Sequence, residues 1–173
     1  MSVARQQTKP VNLVRDLMQI GVATCSVDTP LLEAVRILWQ QRLESLVALD
    51  EHGHAAGLLT RTDVVAAFGC SAASPRGCET LIVADVMRAN IPEIPPDIPA
   101  AAAAQLMLDW NVRELYLMHH DGGISWPAAR LGIEEILRHL TTTSQANLAG
   151  VEANPCGCPT EYPGQDIAST LNY

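Results

Sequence analysis

Gly57-Leu58-Leu59-Thr60-Arg61-Thr62-Asp63 sets two hydroxyls, a cation and a carboxylate in four consecutive positions, directly ahead of the apolar-rich Val64-Val65-Ala66-Ala67-Phe68. The leucines after a glycine read as a short buried strand and the apolar stretch as a helix. The polar residues therefore fall on the turn between them, with Thr62 or Asp63 placed to cap the free helix amides. Such a turn can hold a polyhydroxylated, negatively charged small molecule. Asp63 can accept from two vicinal hydroxyls, Thr60 and Thr62 can donate, and the helix N-terminus with Arg61 can face a phosphate. Taken alone, the same residues also make a plain helix cap beside a solvated arginine.

The rest of the chain gives this turn its context, because the pattern that it closes begins near Val14 and starts again near Val83. Val14-Arg15-Asp16-Leu17-Met18 recurs as Val83-Ala84-Asp85-Val86-Met87, and Asp28-Thr29-Pro30 recurs as Asp97-Ile98-Pro99. Ser45-Leu46-Val47-Ala48-Leu49 recurs as Glu114-Leu115-Tyr116-Leu117-Met118, and all these pairs lie 69 positions apart. After Gly53 and Gly122 the second copy carries three extra residues, so Gly57, Thr60 and Asp63 align with Ala129, Gly132 and Glu135. The hydroxyl is lost there and the carboxylate is one methylene longer. A second ligand pocket would therefore be empty or hold something else.

The order Val-x-Asp-apolar-Met, then a strand, an Asp-x-Pro helix start, a second strand and Gly-apolar-apolar-Thr-x-x-Asp resembles the cystathionine-β-synthase (CBS) domain. Two copies resemble the tandem CBS pair, or Bateman module, over residues 11–140. The resemblance implies an α/β (α+β) module standing alone. It would have two pseudo-symmetric repeats, each a small three-stranded sheet with helices on one face, and would assemble as a homodimer. It further implies a regulatory role without catalysis or an obligatory cofactor. An adenosine nucleotide, AMP or ATP ahead of S-adenosylmethionine or NAD, would bind in the cleft between repeats, and a protein partner would read the resulting shift. By that resemblance Asp63 holds the ribose hydroxyls, Thr60 supports ribose or phosphate, and Arg61 faces the phosphate, with Gly57 and Thr62 in the same turn. Backbone around Ile20, Val22 and Ala23 would hold the adenine edge, and Arg113 of the other repeat would contact phosphate.

Bulk properties set the bounds. A chain of 173 residues, 48% hydrophobic, can bury a core without disulfide staples. The net charge of −8 argues against a nucleic-acid or anionic-membrane surface, so an anionic ligand must rely on a few local arginines. The absence of a long apolar run or a signal-like start, together with five scattered cysteines, points to a cytoplasmic protein. The expected division is an N-terminal arm over 1–10, repeats over 11–68 and 81–140, a linker over 69–80, and an extended or disordered tail over 141–173.

Other candidates are weaker. Alanines 100–104 suggest a close helix contact or simple helix propensity. Pro92, Pro95 and Pro96 forbid a regular strand over 91–94. Trp126 could fill the second pocket or be an ordinary half-buried side chain. His119 and His120 share a turn without a third ligand at metal spacing. Cys156 and Cys158 flank a glycine in the tail and rank as a redox or metal candidate above the linker cysteines Cys70 and Cys78, which have no histidine at ligand spacing. Two alternatives to ligand sensing follow: a ligand-independent dimerisation scaffold, and a redox- or metal-responsive switch worked by Cys156 and Cys158. No nucleophile elbow, phosphate-binding glycine loop or metalloprotease helix is present in the sequence.

Overall fold

The computed structural model describes residues 12–71 and 77–147. A leader of helix α1 (Val14–Leu17) and strand β1 (Gln19–Ile20) precedes β2 (Thr24–Ser26), α2 (Leu31–Gln40), β3 (Ser45–Leu49), β4 (Ala55–Thr60) and α3 (Arg61–Ser71). A 3-10 turn at Gly77–Thr80 leads to the second leader, α4 (Val83–Val86), then α5 (Ala100–Asp109), β5 (Glu114–Asp121), β6 (Ile124–Gly132) and α6 (Ile133–Asn147). The sheets are β2-β3-β4, with β2 parallel and β4 antiparallel to β3, and β1-β6-β5, antiparallel throughout. In the second copy the counterpart of β2 is reduced to a single parallel bridge, Glu93 to Tyr116, because the flanking prolines cannot donate to a ladder.

The two halves repeat one another in register. Ser45 pairs with Thr60 and Ala48 with Gly57; Glu114 pairs with Gly132 and Leu117 with Ala129. Both hairpins carry an irregularity after the same residue, Ala48 and Leu117. The three extra residues lengthen the second hairpin, where His119, His120 and Asp121 pair with Trp126, Ser125 and Ile124. Helix α2 buries Leu31, Ala34 and Leu38 on one face, at the spacing of a half-buried helix. Helix α5 buries Ala103 and Met107 at the matching positions, while Ala101 and Ala102 are exposed.

Each leader belongs to the core of the other repeat. Val83 packs with Leu31, Leu38, Leu46 and Leu59 of the first repeat, whereas Val14 packs with Ile94, Met107, Leu115 and Leu131 of the second. Backbone bonds fasten the exchange symmetrically: Val14 N–H donates to the Ile98 carbonyl and Val83 N–H to that of Thr29, each at 2.9 Å. The recurrent aspartate starts each short helix, since Asp16 accepts from Leu13 N–H at 3.1 Å and Asp85 from Ile82 N–H at 3.0 Å. A third cluster, Val47, Leu58, Tyr116 and Met118, joins the two sheets.

Several expectations are corrected. The first strand of the repeat pattern is two short pieces, β1 and β2, that lie in different sheets. Gly21, at φ +89°, turns the chain from the second sheet to the first, a conformation that suits glycine. Helix α3 continues to Ser71 and the 3-10 turn covers Gly77–Thr80, so much of the expected linker is helical. Residues 141–147 continue α6 rather than beginning an extended tail. The arm over 1–10 and the cysteines Cys156 and Cys158 lie outside the described residues.

Removing two methyls from a fully buried valine costs about 2 kcal/mol. Val14→Ala should lower stability by that amount in urea denaturation. It should also raise amide exchange first in α5 and β5, the opposite repeat, rather than in α2.

Candidate functional site

Helix α3 begins where β4 ends, and Thr60 makes the junction. Its hydroxyl oxygen accepts from Asp63 N–H at 3.2 Å, while Asp63 Oδ2 accepts from Thr60 N–H at 3.0 Å and from the Thr60 hydroxyl at 2.6 Å. This is a reciprocal capping box, so Thr60 is the capping residue rather than Thr62 or Asp63. Asp63 Oδ1 accepts from Arg88 Nε–H at 2.6 Å. Arg88 arrives there because the second leader pairs with β4: Leu58 N–H donates to the Arg88 carbonyl and Arg88 N–H to that of Leu58. Gly57 permits this approach, since a Cβ there would lie 2.6 Å from the Arg88 carbonyl oxygen and 2.8 Å from Met87 Sδ.

Beside this junction lies a cleft of about 730 Å³ between the repeats. Its polar side carries Thr60, Arg61, Thr62, Arg88 and Glu44; its apolar wall comes from Met107, Leu108 and Trp110 of the α5 end and from Ile133, Ile136 and Leu137 of α6. Arg113 stands at the rim. Glu44 Oε1 lies 3.2 Å from Arg61 Nη1, and Glu44 Oε2 lies 3.7 Å from Arg113 Nη1. A flat apolar ring against α5 and α6, joined to a hydroxylated anionic tail toward the arginines, suits this division.

Thr60, Arg61, Thr62 and Arg113 are thus brought together as the sequence suggested, and Asp63 stands directly behind Thr60, 8% exposed. Gly57 is a backbone crossing point and does not line the cleft. Ile20, Val22 and Ala23 are also elsewhere: Ile20 is 90% exposed and pairs with Ala129, Val22 packs between the sheets, and Ala23 packs on the first core. Arg88, Asn90 and Pro92, the counterparts in the second copy of Gln19, Gly21 and Ala23, take that place. The reason is the leader exchange, which hands the larger cleft the segment that follows the second leader helix. Sequence reasoning missed Arg88 and Glu44; the signal for Arg88 was its position directly after the second Val-x-Asp-apolar-Met.

The equivalent cleft of the second half holds only about 160 Å³. Arg130 stands where the first half has Leu58. It donates from Nη1 to Glu114 Oε1 at 2.6 Å and from Nη2 to Gln19 Oε1 at 2.7 Å. Glu135 Oε2 caps Gly132 N–H at 2.9 Å and sits 4.0 Å from Arg130 Nη1. Glu114 also binds the hydroxyls of Ser45 and Tyr116. A guanidinium therefore takes up space that an apolar side chain leaves open in the first half. Trp126 has no part in this: it lies on the hairpin against His119, ring centroids 5.8 Å apart. His120 meets Glu93 and Ser125 on the same hairpin, outside both clefts.

The CBS-domain sequence pattern matches residues 14–69 and 83–125, more than half of the chain. The chain belongs to the CBS-domain family. The second match of this CBS pair stops before Ala129, Gly132 and Glu135, where the second copy departs from the first. No protein of curated function matches the chain. Among solved structures it is similar to the CBS domain pair of protein MJ0100 in complex with 5′-methylthioadenosine and S-adenosyl-L-methionine, at 22% identity and TM-score 0.63, covering 78% of this chain and 99% of that one. It is also similar to the CBS-domain protein ATU1752 from Agrobacterium tumefaciens, at 20% identity and TM-score 0.64, covering 74% and 98%. A third is the hexameric CBS-CP12 protein from bloom-forming cyanobacteria, at 20% identity and TM-score 0.58, covering 73% and 70%. These likenesses show the fold.

Among the described residues no group of three metal-ligating side chains comes together, and no helix is long and apolar enough to cross a membrane. Burial pushes the Cys25 thiol up, away from reactive thiolate character. Burial, and then the charge of Glu114, push the Tyr116 hydroxyl far above its ordinary value. As pH rises past the free tyrosine value of 10.0, the unfolded chain ionises at this position and the folded chain does not. Stability is therefore intact below that value and falls above it, by up to about 1.4 kcal/mol per pH unit. Urea denaturation across alkaline pH should show this slope, and Tyr116→Phe should flatten it.

Proposed function

We propose that this CBS pair is a regulatory module, not an enzyme, and that its larger cleft binds an adenosine nucleotide, AMP or ATP. The observation that carries this reading is the division of the 730 Å³ cleft into an apolar wall and an arginine-bearing polar side. In this reading adenine lies against Met107, Trp110 and Ile136. The ribose meets Thr60, Thr62 and the one lone pair of Asp63 Oδ1 not used by Arg88, and the phosphate faces Arg61 and Arg113. That the related pair from MJ0100 binds two adenosine derivatives supports the ligand class. The cleft is walled by both repeats, so occupancy biases the angle between them, and a protein partner reads that angle.

A homodimer completes the proposal. Trp39, 81% exposed, shares the outer face of the first helix pair with Leu32, Val65 and Phe68. Leu108, Leu137 and Leu140 stand exposed on the second pair. Apolar helix faces of this kind favour burial against another copy. Sedimentation velocity should give a dimer, and Trp39→Glu or Leu140→Glu should shift it toward monomer.

A scaffold without a ligand is the second reading. It is favoured by Asp63, most of whose acceptor capacity is already spent on Thr60 and Arg88. Calorimetry with AMP, ATP and S-adenosylmethionine separates the two readings. Sensing requires saturable binding, quenching of Trp110 fluorescence and an approximately tenfold loss of AMP affinity in Arg61→Ala. Absence of saturable heat with all three leaves the scaffold.

A further inference from the structure

The three arginines of the larger cleft are differently engaged. Arg88 is committed to Asp63 at 2.6 Å. Arg61, at the start of α3, and Arg113, just ahead of β5, converge instead on one carboxylate. Arg61 Nη1 lies 3.2 Å from Glu44 Oε1, and Arg113 Nη1 lies 3.7 Å from Glu44 Oε2. All three side chains line the cleft. Two guanidinium groups, one from each repeat, closing on the two oxygens of a single anion is the arrangement that a phosphate calls for. Here the anion between them is the protein's own. Glu44 has no competing structural duty of the kind that fixes Glu114 and Glu135. Its side chain is 36% exposed, and its partners Arg61 and Arg113 are 43% and 71% exposed. Ion pairs so open to water are weak. A phosphate, with more charge and three acceptor oxygens, has the advantage over a carboxylate for the same two guanidiniums.

We propose that Glu44 is a built-in anion that occupies the phosphate position of the cleft and is exchanged for the ligand's phosphate on binding. This rests on the nucleotide reading above and adds its discrimination step. A nucleoside without phosphate meets only the apolar wall and the hydroxyl-binding turn, and leaves the Arg61–Glu44–Arg113 link between repeats in place. A nucleotide breaks that link and carries the bridge on its own phosphate. Glu44 thereby sets how strongly the module prefers phosphorylated over unphosphorylated ligands, and it makes the phosphate rather than the base the group that alters the contact between halves. Because Glu44 also lines the smaller cleft beside Arg42, the released carboxylate has a second cationic side chain nearby.

The test is calorimetry on the full chain and on Glu44→Gln, with adenosine, AMP and pyrophosphate as ligands. Glutamine keeps the shape and removes the charge, so AMP and pyrophosphate should bind roughly three- to tenfold tighter, a gain that shrinks as salt is raised. Adenosine affinity should not change, and its constancy reports an intact cleft. Unchanged or weaker affinity for AMP and pyrophosphate, or no binding of either, overturns the exchange. If adenosine and AMP both fail to bind while pyrophosphate tightens in Glu44→Gln, the exchange stands and the nucleotide reading falls.

Discussion

Two four-residue helices, each setting one fully buried valine in the core of the repeat that it does not belong to, hold this module together. Val14 and Val83 are fully buried, and the backbone bonds around them cross between halves in both directions. Neither repeat closes its core alone, because its own leader is spent on the other. The exchange also sets the site. Pairing the second leader with β4 at Leu58 is what brings Arg88 to Asp63, and Gly57 is the residue without a side chain at the point where the two backbones meet.

Approximate symmetry of backbone does not give symmetry of chemistry. At the position where Leu58 faces the interface in one half, Arg130 does so in the other, and a guanidinium largely withdrawn from water, 22% exposed, requires partners. Glu114, Gln19 and, farther off, Glu135 supply them, with Ser45 and Tyr116 satisfying the remaining oxygen of Glu114. Such a network is costly to break because each charge removed from water depends on the others. The result is one cleft of about 730 Å³ and one of about 160 Å³ on the same scaffold. The small cleft is closed by the protein's own ion pair.

The same economy of charge runs through the larger cleft. A chain with net charge −8 gathers Arg61, Arg88 and Arg113 around one cavity and balances them with Asp63 and Glu44. Asp63 is buried and held by four bonds' worth of geometry, counting its own N–H to Thr60; the Glu44 side chain is only half-buried and is held by ion pairs. The first is therefore part of the frame and the second is free to be replaced.

The family, the two repeats, their register and the polar turn at residues 60–63 were all legible in the sequence. Each rests on local spacing: the 69-residue recurrence, the repeated Val-x-Asp-apolar-Met of the leaders, and hydroxyls and a carboxylate set directly ahead of an apolar stretch, although the capping residue proved to be Thr60. What the tertiary structure alone decided is which repeat supplies which wall. Ile20, Val22 and Ala23 have the right character for the cleft but the wrong parentage, and Arg88, Asn90 and Pro92 stand there instead. A sequence lists the leaders in order, and only packing reveals that they are exchanged. The partners of Asp63 and Glu44 were hidden for the same reason, since Arg88 and Arg113 are distant in the chain and are brought close only by the burial of Val83 and the joining of the two sheets.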